Sequence, residues 1–136
     1  MIRMNKNKWE ERLASFKKVL NRLEEGLEVD SDNLLMIDGV IQRFEFNYEL
    51  AWKTMKCFLK SQGIEDIKSP RITIREASSF GLIVDSDQWI DMLEDKKLTA
   101  DFYDEEQAKK IYARIKEKYY ENFKDLYERL KDEEAE

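Results

Sequence analysis

Histidine is absent from the 136 residues of this chain. Its absence removes the side chain whose ordinary pKa, about 6.5, makes it the usual general base near neutral pH. Nucleophilic catalysis by a Ser–His or Cys–His pair is therefore excluded. A di-iron site in a helical bundle is excluded as well, because such a site normally needs a Glu-x-x-His pair. We expect neither a metal nor any other cofactor.

Glycine, proline and cysteine are scarce, with four, one and one residues. So few helix breakers, in a chain of which 40% is charged, favour helix throughout. The single cysteine, Cys57, cannot form an internal disulfide, which fits a reducing cytoplasm, and we interpret it as a small apolar filler. The first six residues lack the apolar core of a signal peptide, and no apolar run is long enough to span a membrane. We expect a cytoplasmic protein without membrane contact.

Basic residues are outnumbered, 24 against 30 acidic ones, which gives a net charge of −6. Contacts to phosphate need clustered Lys and Arg, so this balance disfavours a general nucleic-acid binder. The length predicts one domain spanning residues 1–136, large enough to bury a core without disulfides.

Apolar residues recur at alternating steps of three and four, which is typical of amphipathic helices. The three long stripes comprise Trp9, Leu13, Phe16, Leu20, Leu23 and Leu27; Leu34, Ile37, Ile41, Phe44, Tyr48, Ala51, Trp52, Met55, Phe58 and Leu59; and Ala108, Ile111, Ile115, Tyr119, Phe123, Leu126 and Leu130. We predict that Gly26 and residues 28–32 end the first helix and that Ser31 or Asp32 caps the second.

Two shorter helices are predicted between the second and third stripes. Ser69-Pro70 is a helix start and Gly81 a helix end. Asp85 or Ser86 should cap the next short helix, and Asp104 should begin the last one. The predicted fold is therefore all-α, an up-and-down antiparallel bundle of about five helices.

Five sequence blocks follow one another in a single frame between about Gln42 and Tyr112. They are Arg43-Phe44-Glu45-Phe46-Asn47-Tyr48-Glu49-Leu50-Ala51-Trp52-Lys53; Ser69-Pro70-Arg71 with Arg75-Glu76-Ala77; Gly81-Leu82-Ile83; Trp89-x-x-Met92-Leu93; and Leu93-Glu94-Asp95-Lys96-Lys97-Leu98-Thr99-Ala100-Asp101-Phe102-Tyr103-Asp104. The ordered set resembles the HEPN superfamily, in particular its nucleotidyltransferase substrate-binding proteins. The resemblance implies a HEPN-like bundle, a homodimer, and a minimal nucleotidyltransferase as partner.

We predict that the last block, residues 93–104, forms a loop, and we call it the signature segment. At the places of the family's catalytic arginine and histidine it carries Lys96 and Asp101, so the catalytic pair is not intact. In HEPN ribonucleases the resemblance implies that this pair handles RNA in a cleft at the dimer interface. Lys96 would keep a positive charge without the guanidinium fork. Asp101, with an ordinary pKa of about 3.9, would repel the RNA backbone. Alternatively, Thr99 and Asp101 simply order the turn before the last helix.

Tyr103 matches the family tyrosine that a partnered nucleotidyltransferase can modify with AMP. We therefore treat it as a candidate modification site. The alternative is a loop tyrosine that covers one end of the bundle.

Further candidates for the cleft are Arg43, Glu45, Glu49, Arg71, Arg75, Asp95 and Thr99. Glu45 and Glu49 lie one turn apart and share a helix face. They could hold a metal or act as acid and base, or they could pair with Lys53 or with Arg71 and Arg75. The two arginines could instead bind a phosphate, or they could pair with Glu76 or Asp85. Position alone leaves these alternatives open.

Two functions are consistent with these features. The first is a non-catalytic substrate-binding or regulatory partner of a minimal nucleotidyltransferase, as the HEPN half of a toxin–antitoxin-like pair. The alternative is a HEPN ribonuclease, a metal-independent RNA-cleaving toxin with an altered active site. The altered signature segment favours the first. Large side chains predict a homodimer, because a small bundle has limited interior: Trp9, Phe16, Phe44, Phe46, Trp52 and Phe58. Acidic groups near the signature segment suit a basic partner surface: Glu94, Asp95, Asp101, Asp104, Glu105 and Glu106.

Overall fold

The structure is a computed structural model that describes residues 8–101 and 104–134, without the side chain of Asp101. Its elements are α1 (Lys8–Val29), α2 (Leu34–Ser61), α3 (Pro70–Phe80), α4 (Ser86–Asp101), α5 (Glu105–Arg114), a π-helical turn (Ile115–Tyr119) and α6 (Tyr120–Glu134). The last three follow one another without a break and form one helical rod. Five rods result, and no strand occurs in the described ranges, so the predicted all-α fold of about five helices is confirmed.

The first connection differs from the sequence prediction at both ends. Gly26 does not end α1 but lies buried within it, where a Cβ would sit 3.3 Å from a methyl group of Val40. Glycine therefore allows α1 and α2 to approach closely. The cap of α2 is Asn33, whose Oδ1 accepts a hydrogen bond from Leu35 N at 2.8 Å. The hydroxyl of Ser31 instead accepts one from Asn33 N.

The start and end of α3 are as predicted. Ser69 Oγ accepts a hydrogen bond from Ile72 N at 3.2 Å, Pro70 is the first helical residue, and Gly81 ends the helix with a φ of 92°. Asp85 caps α4 by accepting from Gln88 N at 3.1 Å.

Most of the signature segment is helix rather than loop, because α4 continues to Asp101. No glycine or proline separates Leu82 from Asp104, so nothing in the local sequence stops the helix earlier. Lys96 and Thr99 consequently lie on one face of a regular helix. Their positions are fixed by the packing of α4.

The π-helical turn explains how the last rod keeps its apolar stripe in the core. Ile111, Ile115, Tyr119 and Phe123 follow one another at steps of four, whereas an α-helix turns once every 3.6 residues. A stripe with that spacing would drift around an ideal helix. The turn bonds Tyr120 N to Ile115 O, one residue wider than an α-helical bond, and so returns the stripe to the core.

The central helix α2 contacts α1, α3, α4, α5 and α6. Aromatic rings join three of the rods: Phe44 stacks on Tyr119 at 5.5 Å between ring centres, and Trp89 meets Phe123 edge-on at 5.6 Å. Over the part of the chain that is described, no helix combines the length and hydropathy needed to cross a membrane.

The large apolar side chains do not require a dimer, because one chain has enough interior for most of them. Trp9, Phe16, Phe44 and Phe58 are all buried within a single chain. Trp52 is half-buried against the core, and only Phe46 of this group is substantially exposed, at 53%. The interior of one chain therefore accommodates most of them, and a homodimer must rest on other grounds.

Candidate functional site

The site is built where α4 crosses α2. Glu45 and Glu49 lie one turn apart on α2, and Lys96 and Thr99 face them from α4. Lys96 Nζ lies 3.8 Å from Glu49 Oε2, and Lys53 Nζ lies 4.0 Å from Glu49 Oε1. The positive charge of Lys96 is therefore directed at a carboxylate of its own chain.

The hydroxyl of Thr99 ties the second carboxylate into the site. It donates a hydrogen bond to Glu45 Oε2 and also lies 2.9 Å from the carbonyl oxygen of Lys96. A hydroxyl has one proton, and the charged carboxylate is the stronger acceptor. Glu45 and Glu49 are thus held by partners on α4. The described residues contain no group of three potential metal ligands.

Asp95, on the neighbouring face of α4, is buried and joined to the last rod. Arg114 grips it with two parallel bonds, Nε to Oδ2 and Nη2 to Oδ1, both 2.8 Å. The hydroxyl of Tyr119 donates a third bond to Oδ2 at 2.6 Å. Such paired contacts to a carboxylate are strong and geometrically specific. We call these three residues the Asp95 lock.

Two pKa shifts belong to the Asp95 lock. Burial raises the pKa of Tyr119 above its usual value, and the hydrogen bond to Asp95 adds to this effect. The hydrogen bond to Asp95 also raises the pKa of Arg114. Tyr119 therefore stays neutral and Arg114 stays charged at neutral pH. The lock fixes α4 against the π-helical turn, next to Lys96.

A cavity of about 440 Å³ lies beside the site, between α2, the end of α4 and the start of α5. It is lined by Leu35, Asp38, Gly39, Ile41, Gln42, Glu45, Leu98, Thr99, Asp104, Gln107, Ala108 and Ile111. Three of these residues are acidic, and none of the described lining residues is basic. We call it the acidic cavity. Its charge opposes the binding of a phosphate group.

The three arginines predicted for the cleft lie in different parts of the structure. Arg71 pairs at 2.5 Å with Glu94 on α4, a partner that is not predicted from the sequence. Arg75 shares with Arg71 a different cavity, of about 300 Å³, between α3 and α4. Arg43 lies on the opposite side of α2, where Nη1 donates to the carbonyl oxygen of Arg22 at 2.6 Å. The structure therefore brings Glu45, Glu49, Lys96 and Thr99 together, places Asp95 on the neighbouring face of α4, and leaves the three arginines outside.

Two predicted site groups lie outside the described residues: the side chain of Asp101 and the whole of Tyr103. Conversely, two members of the site, Arg114 and Tyr119, are not predicted from the sequence. Tyr119 is assigned to the apolar stripe, and Arg114 is not singled out. The one available signal is Asp95 itself, an acidic residue soon after the apolar pair Met92-Leu93, which predicts a charged partner for a buried carboxylate.

Comparison with known proteins gives a family match over most of the chain. Residues 11–132 match the family described as "Nucleotidyltransferase substrate binding protein like". A curated relative, "Probable ribonuclease HepT" of Haemophilus influenzae, is 40% identical over 84 residues. That match covers 59% of this chain and 58% of the relative, so the chain spans less than two thirds of the curated relative it matches.

Two solved structures have the same fold. A protein of Thermus thermophilus superposes with a TM-score of 0.78 at 30% identity, over 85% of this chain and 98% of that one. A Haemophilus influenzae protein superposes with a TM-score of 0.67 at 29% identity, over 93% and 99%. Its structure is described as revealing the fold of a substrate binding domain of a nucleotidyltransferase.

Proposed function

Because the chain belongs to the nucleotidyltransferase substrate binding protein-like family, we propose that it is a non-catalytic partner of a separate, minimal nucleotidyltransferase. In this role it binds that enzyme's substrate or regulates the enzyme, as the HEPN half of a toxin–antitoxin-like pair in the cytoplasm. The fold supports this proposal, since a Haemophilus influenzae protein of the same architecture is described as a substrate binding domain.

The observation that carries the non-catalytic part of the proposal is the electrostatics around Lys96. The ammonium group lies 3.8 Å from Glu49, and the adjacent acidic cavity is lined by Asp38, Glu45 and Asp104. An RNA phosphate approaching Lys96 would meet carboxylates before it met an unpaired cation. These charges suit a cationic protein surface better than a nucleic acid.

We also propose that the protein is a homodimer. Support comes from the edge of the acidic cavity, where Leu35 is 79% exposed and Leu98 is 37% exposed. Exposed leucines on two helices at the edge of one cavity provide apolar surface for contact with another chain.

Where a neighbouring gene encodes a minimal nucleotidyltransferase, co-expression of the two proteins should yield a stable complex that survives gel filtration. Light scattering of the complex then gives its stoichiometry. Mass analysis tests Tyr103 as a modification site, and the expected product is the chain with added AMP. Tyr103→Phe should abolish the AMP addition without dissociating the complex. Separate elution of the two proteins at micromolar concentration would contradict the proposed partnership.

A ribonuclease is the second candidate function, because the curated relative is described as a probable ribonuclease. We expect the purified chain to leave single-stranded RNA intact, in the presence or absence of EDTA, as followed on a denaturing gel. Glu49 neutralises Lys96, and the chain has no histidine to transfer a proton. Lys96→Arg combined with Asp101→His restores the family's residue pair, and the RNA cleavage by this double variant is compared with that by the unaltered chain. Cleavage by the unaltered chain that Lys96→Ala abolishes would establish the ribonuclease instead.

A further inference from the structure

A second groove lies on the other side of α2, between α2 and α1. It has a volume of about 740 Å³ and is lined by Lys18, Val19, Asn21, Arg22, Gln42, Arg43 and Phe46. Gln42 lines both this groove and the acidic cavity, so α2 separates two depressions of opposite charge. We call the second depression the basic groove. It contains none of the residues of the candidate site.

Among the described residues, the basic groove is lined by three cationic side chains and by no acidic one. Lys96, Arg71 and Arg114 each pair with a carboxylate. Lys18, Arg22 and Arg43, in contrast, form no ion pair with any of the described residues. One nitrogen of Arg43, Nη1, already donates to the carbonyl oxygen of Arg22, so its remaining guanidinium nitrogens join Lys18 and Arg22 in facing a ligand. They provide an attractive site for an anion.

The groove also has a fixed floor and an aromatic wall. Asn47 is fully buried beneath it, and its Nδ2 donates to the carbonyl oxygens of Val19 at 2.9 Å and Arg43 at 2.8 Å. These bonds join α1 to α2 under the groove. The ring of Phe46 stands at the surface, 53% exposed. An exposed ring beside several cations is the combination that binds a planar base and its phosphates.

We propose that the basic groove binds a mononucleotide, with its phosphates on Lys18, Arg22 and Arg43 and its base against Phe46. The volume lies within the range of about 300–1,000 Å³ that is common for small-ligand sites. The acidic surface elsewhere disfavours a long polynucleotide, since it would repel the additional phosphates. The site is separate from the contact with a nucleotidyltransferase and does not depend on that partnership.

Titration calorimetry on the full chain at low salt tests the site with ATP, inorganic triphosphate and adenosine. ATP should bind most tightly and should weaken as salt is added. Lys18→Gln with Arg22→Gln should weaken both ATP and triphosphate by about tenfold or more. Phe46→Ala should weaken ATP by about tenfold and leave triphosphate unchanged, because only ATP carries a base to stack.

A matched control removes the same charge elsewhere: Lys110→Gln with Lys124→Gln, two exposed lysines on α5 and α6. It should bind ATP as the unaltered chain does. An equal loss in both double variants would show a general charge effect and overturn the proposal. So would the absence of ATP binding at millimolar concentration. A dimer in light scattering that Phe46→Ala dissociates would also overturn it, because a second copy would then cover the groove.

Discussion

Replacing Asp95 with alanine should lower the free energy of unfolding by about 3 kcal/mol, at the low end of the range for breaking a buried ion pair. Asp95 is 5% exposed, and its carboxylate accepts three hydrogen bonds, two from Arg114 and one from Tyr119. Its removal leaves a guanidinium and a buried hydroxyl without their partner. The low end applies because the Arg114 side chain is 34% exposed and water can solvate part of it. Urea unfolding followed by circular dichroism measures the change.

Two comparison variants separate the Asp95 lock from a general effect of altering α4. Asp91→Ala changes the same residue type one turn earlier, at an exposed position, and should cost less than about 0.5 kcal/mol. Tyr119→Phe keeps the ring in the core and removes one of the three bonds, so it should cost about 1 kcal/mol. A loss for Asp95→Ala no larger than that for Asp91→Ala would show that the lock does not stabilise the fold.

The features that can be predicted from sequence are those with a local cause. Ser69, Pro70 and Gly81 bound α3 as predicted, because a capping hydroxyl, a fixed φ and a left-handed residue act within one turn. Where several local signals compete, the prediction is wrong. Ser31, Asp32 and Asn33 are all good caps, and only the backbone geometry selects Asn33. The extent of α4 follows likewise from its lack of helix breakers, so the prediction of a short helix followed by a loop is wrong there.

The candidate site is harder to predict from the sequence than the helix ends, because its contacts join residues that are far apart in the chain. Asp95 meets Arg114 and Tyr119, which are 19 and 24 positions away on another rod. The apolar stripes show which face of each helix is buried but not how two helices cross. The shared face of Glu45 and Glu49 is therefore predictable, whereas Lys96 and Thr99 as their partners are not. The repeated steps of four from Ile111 to Phe123 are the local signal of the π-helical turn that positions Tyr119, although an apolar stripe of this kind predicts a regular α-helix.

The start of α5 should be the part of the surface that most affects binding of the nucleotidyltransferase. The acidic side chains near the signature segment differ in whether they are paired, buried or exposed. Glu94 pairs with Arg71, and Asp95 is buried in its lock. Asp104, Glu105 and Glu106 remain exposed at the beginning of α5, next to the acidic cavity. Asp104 also caps the helix through a bond from Glu106 N at 3.1 Å, so the other two are the better residues to change.

Reversing both charges, Glu105→Lys with Glu106→Lys, should weaken the complex by about 100-fold at low salt. The two acidic side chains attract a basic partner surface, whereas two lysines at the same positions would repel it. The loss should shrink as salt is added, since salt screens exposed charges. The chain itself should lose only about 1–2 kcal/mol of stability, from two unfavourable charges at a helix start. Glu121→Lys with Glu128→Lys makes the same change at exposed positions on α6 and should leave the affinity nearly unaltered. Titration calorimetry of the purified partners measures both. If the two double variants bind equally well, the start of α5 is not the contact surface, whereas the family assignment and the fold would be unaffected.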